Sequence, residues 1–553
     1  MRTRNLVIAA AVAGAALPAS AGQNSERIAA ETVAAPVCAP PDSSSAGAGG
    51  ESAPVLIDGL GYVGIAPDTD NAEARRWFDQ GVRLIWAYDE VEAIRAFERA
   101  QALAPDCALC FWGEAWARSP TLNLQPRIDE LGKASLAARR AQALSARLGP
   151  KQRALIDAMV LRTRGSRIFD GKGYAKAMAT LARLYPDDDA VLVIAADSEM
   201  VISKRAPKPG SNGQRWLEAV LARNPDHSGA IHLYIHLTDF LDRQALAEPY
   251  AERLGRLAPA ASHLVHMPSH TFFGVGRYRD AAEVNLAAME ADRAFVARAR
   301  PAKSDYRVGL YAHDGHFAIQ SALMRGDGAT AREVAADYRS RYPESGDSGW
   351  RAIIRASTWY ADGLHAPIAD VLALPEPRDP LMRTMRFYAR GEAHARAGDA
   401  AAVRREAAAM ANFRNGPDGR ALGGANVEAL VTLAQHVLEG RAEMLDGDHA
   451  SAAAAFRKAM KLQAGGHFGF DPPPFWYPVR RSLAAALLAG GDAEGAQHQL
   501  IASLERWPGD PLALLALARA EQALGHPDLA ARHLAGAKAA WSGNVEGVPL
   551  TSI

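Results

Sequence analysis

Apolar residues recur every three to four positions along most of this 553-residue chain, in blocks a few helical turns long, and turns holding Gly, Pro or Asp separate the blocks. That period predicts amphipathic helices. Trp77, Gly81, Leu84, Ala93, Phe97, Ala100 and Pro105 set out one helix pair. The small residues allow close approach, the aromatics fill the gap between the two helices, and the proline stops the second. Gly440, Ala452, Phe456 and Ala459 repeat the spacing, followed by Ala496, Leu500 and Pro508, and then by Ala530, Leu534 and Ala537. Between these ends Pro186, Pro225 and Pro259 close helices, while Gly276-Arg277-Tyr278 and Gly326-Asp327-Gly328 read as turns within a pair. No alternating run of β-branched residues is bounded by hairpin turns, so no strand is expected.

Equivalent anchors lie 34 residues apart, or nearly so, which is the length of the tetratricopeptide repeat. The expected fold class is all-α, a tetratricopeptide repeat α-solenoid of stacked antiparallel helix pairs. Along the chain we expect a signal peptide over 1–21 and a flexible leader rich in Ala, Ser, Gly and Pro over 22–70. N-terminal repeats follow over 71–170, central repeats over 171–342, connecting helical repeats over 343–425 and C-terminal repeats over 426–543.

The same 34-residue step relates two histidine pairs, His232 with His236 and His266 with His270. One repeat along a solenoid returns a side chain to the same face of the next helix, so these imidazoles are expected to stand together. Aligning the turns at Gly276 and Gly326 places His313 and His316 on the helical positions of His263 and His266, both 50 residues earlier. Seven of the 16 histidines then share one stripe. The stripe avoids the anchor positions and falls on the face that lines the concave groove in tetratricopeptide proteins. Histidines at i and i+3 or i+4 project from one side of a helix and can grip one ion, and helices packed roughly 8 to 10 Å apart can share it.

The expected metal ligands are therefore His232, His236, His263, His266, His270, His313 and His316, with Asp239 and Asp197 as carboxylate ligands or as partners fixing an imidazole tautomer. Both carboxylates are equally readable as surface or ion-paired charges, and the stripe itself as an uncharged aromatic-like groove lining. Imidazole-rich, carboxylate-poor sets suit copper, which is favoured here, and also zinc or iron. Seven imidazoles exceed one ion's needs, so a pair of coppers each held by three histidines is the sharpest form of the expectation. Pro268 breaks the hydrogen-bond ladder between His266 and His270, and either re-aims His270 or ends the helix. Trp112 and Trp116 form an expected aromatic wall, and Arg481 is readable as an anchor for a substrate carboxylate, with a structural ion pair as the preferred reading. Glu114, at a normally apolar packing position, is readable as the partner of a buried arginine.

Charge and cysteine then narrow the partners and the compartment. Lys+Arg and Asp+Glu both number 62, which gives no electrostatic case for nucleic acid. Arg2 and Arg4 precede an apolar run from Leu6 to Leu17 and the small residues Ala19-Ser20-Ala21, so export to the periplasm, or secretion, is expected. Later segments are too charged for a membrane span. Three cysteines leave one unpaired, Cys107 and Cys110 are expected to form a local disulfide, with a metal or redox role as the other reading, and Phe111 stands where covalent haem attachment needs His.

The ordered set Cys107 to Ala115, His232 to His236, His263 to His270, His313-Asp314-Gly315-His316-Phe317 and Tyr477 to Arg481 resembles a group of exported bacterial tetratricopeptide proteins. The resemblance covers roughly residues 70–543 and implies fold and compartment without an activity. This chain departs from it at Ser262, where glycine is usual, and at Asp314, where asparagine is usual. Three functions fit: a metal enzyme, oxidoreductase or hydrolase, acting on a small molecule or peptide in the groove; a metal store, carrier or sensor; and a metal-free adaptor for peptide or protein partners. No nucleophile with a base at recognisable spacing supports a metal-free hydrolase, and no catalytic residue is assigned.

Overall fold

The computed structural model describes residues 53–553 except 63, 124–127, 165–168, 204–206, 302–304, 343–349, 418, 420–421, 423–424 and 466–471. The expected signal peptide, Cys38 and most of the expected leader lie outside the described residues. Within them the chain is helix upon helix, most of them packed on their neighbours in sequence, and no strand is present. The anchors act as the spacing predicts. A Cβ on Gly81 or Gly113 would stand 2.6 or 2.3 Å from the Phe97 ring, so one phenyl fills the space that two glycines vacate. Gly440 stands in the same relation to Phe456.

Four turns share one device. Gly326, Gly398, Gly447 and Gly491 all have positive φ, and the aspartate after each accepts a hydrogen bond from a backbone N–H in the first turn of the next helix. Glycine reverses the chain without steric penalty, and the carboxylate satisfies a donor that the helix start leaves unpaired. The expected turns at Gly276 and Gly326 are both found, with φ +81° and +74°.

Two additions to the repeat grammar bury the inner face of the array. The first is residues 55–62, which the composition places in a flexible leader but which are held as an extended strap. The Gln80 amide exchanges hydrogen bonds with Ile57 N–H and the Val55 carbonyl. Arg83 donates to the Gly61 carbonyl, Tyr62 N–H to Ser228, Ala260 N–H to the Gly59 carbonyl and Arg298 to the Leu56 carbonyl. With Ile57 and Leu60 buried, apolar contact and backbone pairing both hold the strap down. The second is the segment 472–479, whose Phe475, Tyr477 and Val479 are wholly buried, and whose Pro473 and Pro474 carbonyls accept from Gln320 and Tyr360.

The last repeats also touch the middle ones. Tyr278 Oη donates to the Pro508 carbonyl, Ser542 N–H donates to the Arg325 carbonyl, and Phe273 lies 5.7 Å from Trp507, edge to face. Gly276 makes this seam possible, because a Cβ there would lie 1.9 Å from the Pro508 carbonyl oxygen on a backbone already at positive φ. Gly276→Ala is expected to cost about 1–3 kcal/mol and to raise amide exchange at 273–278 and 505–512. Unchanged exchange at this seam counts against the account.

Candidate metal centre

The register brings six of the seven expected histidines together, His316 excepted, on consecutive first helices of the pairs. Ser228–Phe240 carries His232 and His236, Ser262–His266 and Pro268–Gly274 carry His263, His266 and His270, and Asp305–Met324 carries His313. Their ligand atoms form two triads, His232/His236/His263 and His266/His270/His313, and within each triad one nitrogen per residue lies within 4.8 Å of the others. The triads adjoin, with His263 and His266 rings 5.8 Å apart and His236 and His270 rings 6.0 Å apart.

Pro268 interrupts the helix, as its missing N–H requires. It opens a new helix at Met267 while the chain keeps helical backbone angles, and His266 and His270 stay in one triad. Their Nε2 atoms are 3.0 Å apart, and those of His263 and His232 are 3.1 Å apart. Two imidazoles bound tetrahedrally to one ion at about 2.05 Å would place their nitrogens about 3.3 Å apart, so either pair needs only a few tenths of an ångström to open around an ion.

Groups behind the rings fix which nitrogen faces inward. His232 Nδ1 donates to the Trp86 carbonyl at 2.7 Å, leaving the lone pair on Nε2. His266 Nδ1 donates to Asn285 Oδ1 at 2.6 Å and lies 3.1 Å from Asp314 Oδ1, and Asn285 is itself oriented by donating to the Ala281 carbonyl. Burial holds His232 down at about 3, and it holds His263, His266 and His313 well below the usual histidine range, with neighbouring imidazoles adding to the effect. At neutral pH these rings are uncharged, the form that binds metal. For Asp314, burial first and Asp292 second push the carboxyl well above the usual range.

Sequence reasoning missed two residues here. Tyr88, buried at the end of the first helix with φ +53°, sets its ring 4.5, 6.0 and 5.5 Å from those of His232, His236 and His263, covering one whole triad. Nothing in the spacing of apolar residues signals it. Asn285 did leave a trace, as a polar residue between Ala281, Ala282, Ala288 and Met289 on a helix face whose other polar member is Asp292, two turns on.

Several expectations need correction. The histidines do not line an open groove: all seven are at most 2% exposed, because the strap, the 472–479 segment and packed helices cover them. His316 belongs to neither triad, and its Nε2 meets the Gln320 amide at 2.8 Å. Asp239 reaches only the rim, 3.8 Å from His270 Nδ1, and accepts from Gln244. Asp197 lies apart, in a buried group with Glu90, Arg162 and Tyr174, where burial raises it to about 6 against the pull of Arg162. Trp112 and Trp116 are buried and pack on each other, with Trp116 also against Trp86, so they offer a substrate no wall. Arg481 is an internal ion pair with Asp510, both fully buried. The expected Cys107–Cys110 disulfide is formed, and Glu114 does pair with the buried Arg118.

No protein-family model and no curated protein matches the chain. Among solved structures it is similar to the human IFIT1 dimer with m7Gppp-AAAA, at 13% identity over 85% of this chain and 91% of that one, TM-score 0.29. It is also similar to yeast Tom70, at 12% identity over 86% and 93%, TM-score 0.29. A third is the APC/C hetero-tetramer Cut9-Hcn1, at 13% identity over 82% and 77%, TM-score 0.27. TM-scores this low carry no argument about this chain, and its fold rests on its own helix pairing. Among the described residues no helix is long and apolar enough to cross a membrane.

Proposed function

We propose that the two triads hold a pair of transition-metal ions, copper in preference to zinc or iron, and that the protein is an exported metalloprotein acting on a small molecule. One observation carries this reading: six buried imidazoles converge in two adjoining sets of three, and partners behind His232 and His266 hold lone pairs inward. The ligands bring no charge of their own, and few carboxylates lie near. Two divalent ions would place four positive charges in a buried site, whereas two cuprous ions place two, which favours copper on the cost of burying charge.

Burial also separates the three functions. A carrier must exchange its ion with a partner, and these rings are closed off from solvent, which supports a resident centre over storage or delivery. The inner face that a peptide adaptor would use is filled by residues 472–479, which supports a small molecule over a peptide. Balanced charge argues against nucleic acid, and a disulfide at Cys107–Cys110 is compatible with an oxidising compartment. Elemental analysis of the purified chain should find about two ions per molecule. None, even after loading with copper or zinc, would refute the reading.

The same burial makes the metal-free protein acid-sensitive. An unfolded histidine takes up its proton near pH 6.5, whereas burial holds His232 and His316 at about 3 in the fold. The neutral rings are fully compatible with the fold above pH 6.5. As the pH falls from 6.5 toward 3 these two histidines gain protons in the unfolded chain alone, so each removes about 1.4 kcal/mol of stability per pH unit, against a smaller opposing gain from the raised Asp197 and Asp314 carboxyls. Denaturant midpoints of the metal-free protein should fall over this window, and a midpoint independent of pH there contradicts the assignment.

A further inference from the structure

One opening leads toward the first triad. Its mouth is formed by Asp89, Ala260 and Ser262, all partly exposed, and its base by Leu60, Leu84, Ala87 and His263, all buried. Phe295, Leu310 and Ala261 make the sides. The cavity measures ≈ 20 Å³, room for little more than one water-sized group. His263, at its base, is a member of the His232/His236/His263 triad, and the strap supplies one wall through Leu60.

We propose that this funnel is the port through which a neutral molecule of two or three heavy atoms reaches the first metal ion, dioxygen being of that class. The proposal rests on the metal reading above and adds the substrate's size and charge. Size follows from the volume. Charge follows from the same volume: a cavity with room for one water-sized group strips an ion of its hydration shell, and an anion would also pass the Asp89 carboxylate at the mouth. A neutral diatomic molecule meets neither cost. The strap thereby gains a role that its sequence does not suggest, as the lid that sets the width of the port.

Carbon monoxide, a neutral diatomic ligand for cuprous copper, tests this in the full-length protein loaded with Cu(I), read by the carbonyl infrared band and stopped flow. It should bind, whereas tert-butyl isocyanide, with the same donor type but a bulky tail, should not. Ala261→Leu fills the side of the funnel and should slow carbon monoxide association about tenfold or more, while Leu60→Ala should speed it, both with unchanged copper content. Equal rates in the wild type and Ala261→Leu, or ready binding of tert-butyl isocyanide, would overturn the port. The metal reading can fail separately, by absence of bound copper. In that case xenon-pressurised crystals of the metal-free protein still decide, since a xenon atom beside His263 supports the port and its absence overturns it.

Discussion

His266→Ala should reduce the protein from two bound ions to about one and weaken the second site by more than about 100-fold. Removing a group that merely orients a ligand costs 10- to 100-fold in affinity, so removal of the ligand itself sets a higher floor. His266 is well suited to the test. Its Nε2 faces His270 at 3.0 Å, its Nδ1 donates to Asn285, and its ring lies 4.8 Å from that of His313, so it connects every part of the second triad. The first triad contains none of these contacts and should keep its ion. Metal content by elemental analysis and affinity by competition with a chromogenic chelator check both statements. Two ions at wild-type affinity in the variant would mean that the second triad is a packed cluster of neutral rings. Turnover, once a substrate is found, separates an enzyme, which loses rate along with metal, from a carrier, which loses metal alone.

Arg481→Ala should destabilise the protein by about 3–5 kcal/mol and leave metal content unchanged. The guanidinium contacts both oxygens of Asp510, at 3.0 and 3.1 Å, and lies 4.3 Å from the Tyr477 ring centre and 5.0 Å from that of Trp476, with no exposure on either side of the pair. Truncation leaves a buried carboxylate without its partner, which is the expensive way to break such a pair. Asp510 also accepts from Leu512 and Ala513 N–H at the start of the helix Pro511–Ala523, so it cannot leave its position without uncapping that helix. Arg481→Met combined with Asp510→Ser removes both charges, retains a cap and should recover part of the loss. Denaturant unfolding measures all three proteins. Wild-type stability in Arg481→Ala would instead return the arginine to the substrate-anchoring role that its sequence position suggested.

Much of the fold was legible because its causes are local. Glycine and phenylalanine at anchor spacing specify how two helices approach, and a glycine followed by aspartate specifies the turn between them; neither depends on distant residues. The histidine stripe was legible for the same reason. One repeat step maps His232 onto His266 and His236 onto His270, and regular stacking turns that arithmetic into proximity. His316 marks where the mapping stops. It occupies a position equivalent to His266, yet the segment carrying Pro473 draws Gln320 and His316 into a different set of contacts. For Arg481 the ion pair was legible but its partner was not, since Asp510 lies in a later repeat and no period links the two.

The sequence by itself determined an all-helical array of paired helices, their turns, and which faces of three successive helices carry imidazole, because side-chain period and repeat length are properties of neighbours along the chain. Tertiary structure alone decided that those faces are interior. That outcome depends on contacts with no periodicity: a strap from residues 55–62, a segment at 472–479, a tyrosine at positive φ and a glycine seam between Gly276 and Pro508. Burial in turn converts a histidine stripe into two closed triads in which His232, His263, His266 and His313 are held neutral and His232 and His266 are oriented, since imidazoles removed from water lose their protons and need partners for their remaining nitrogens.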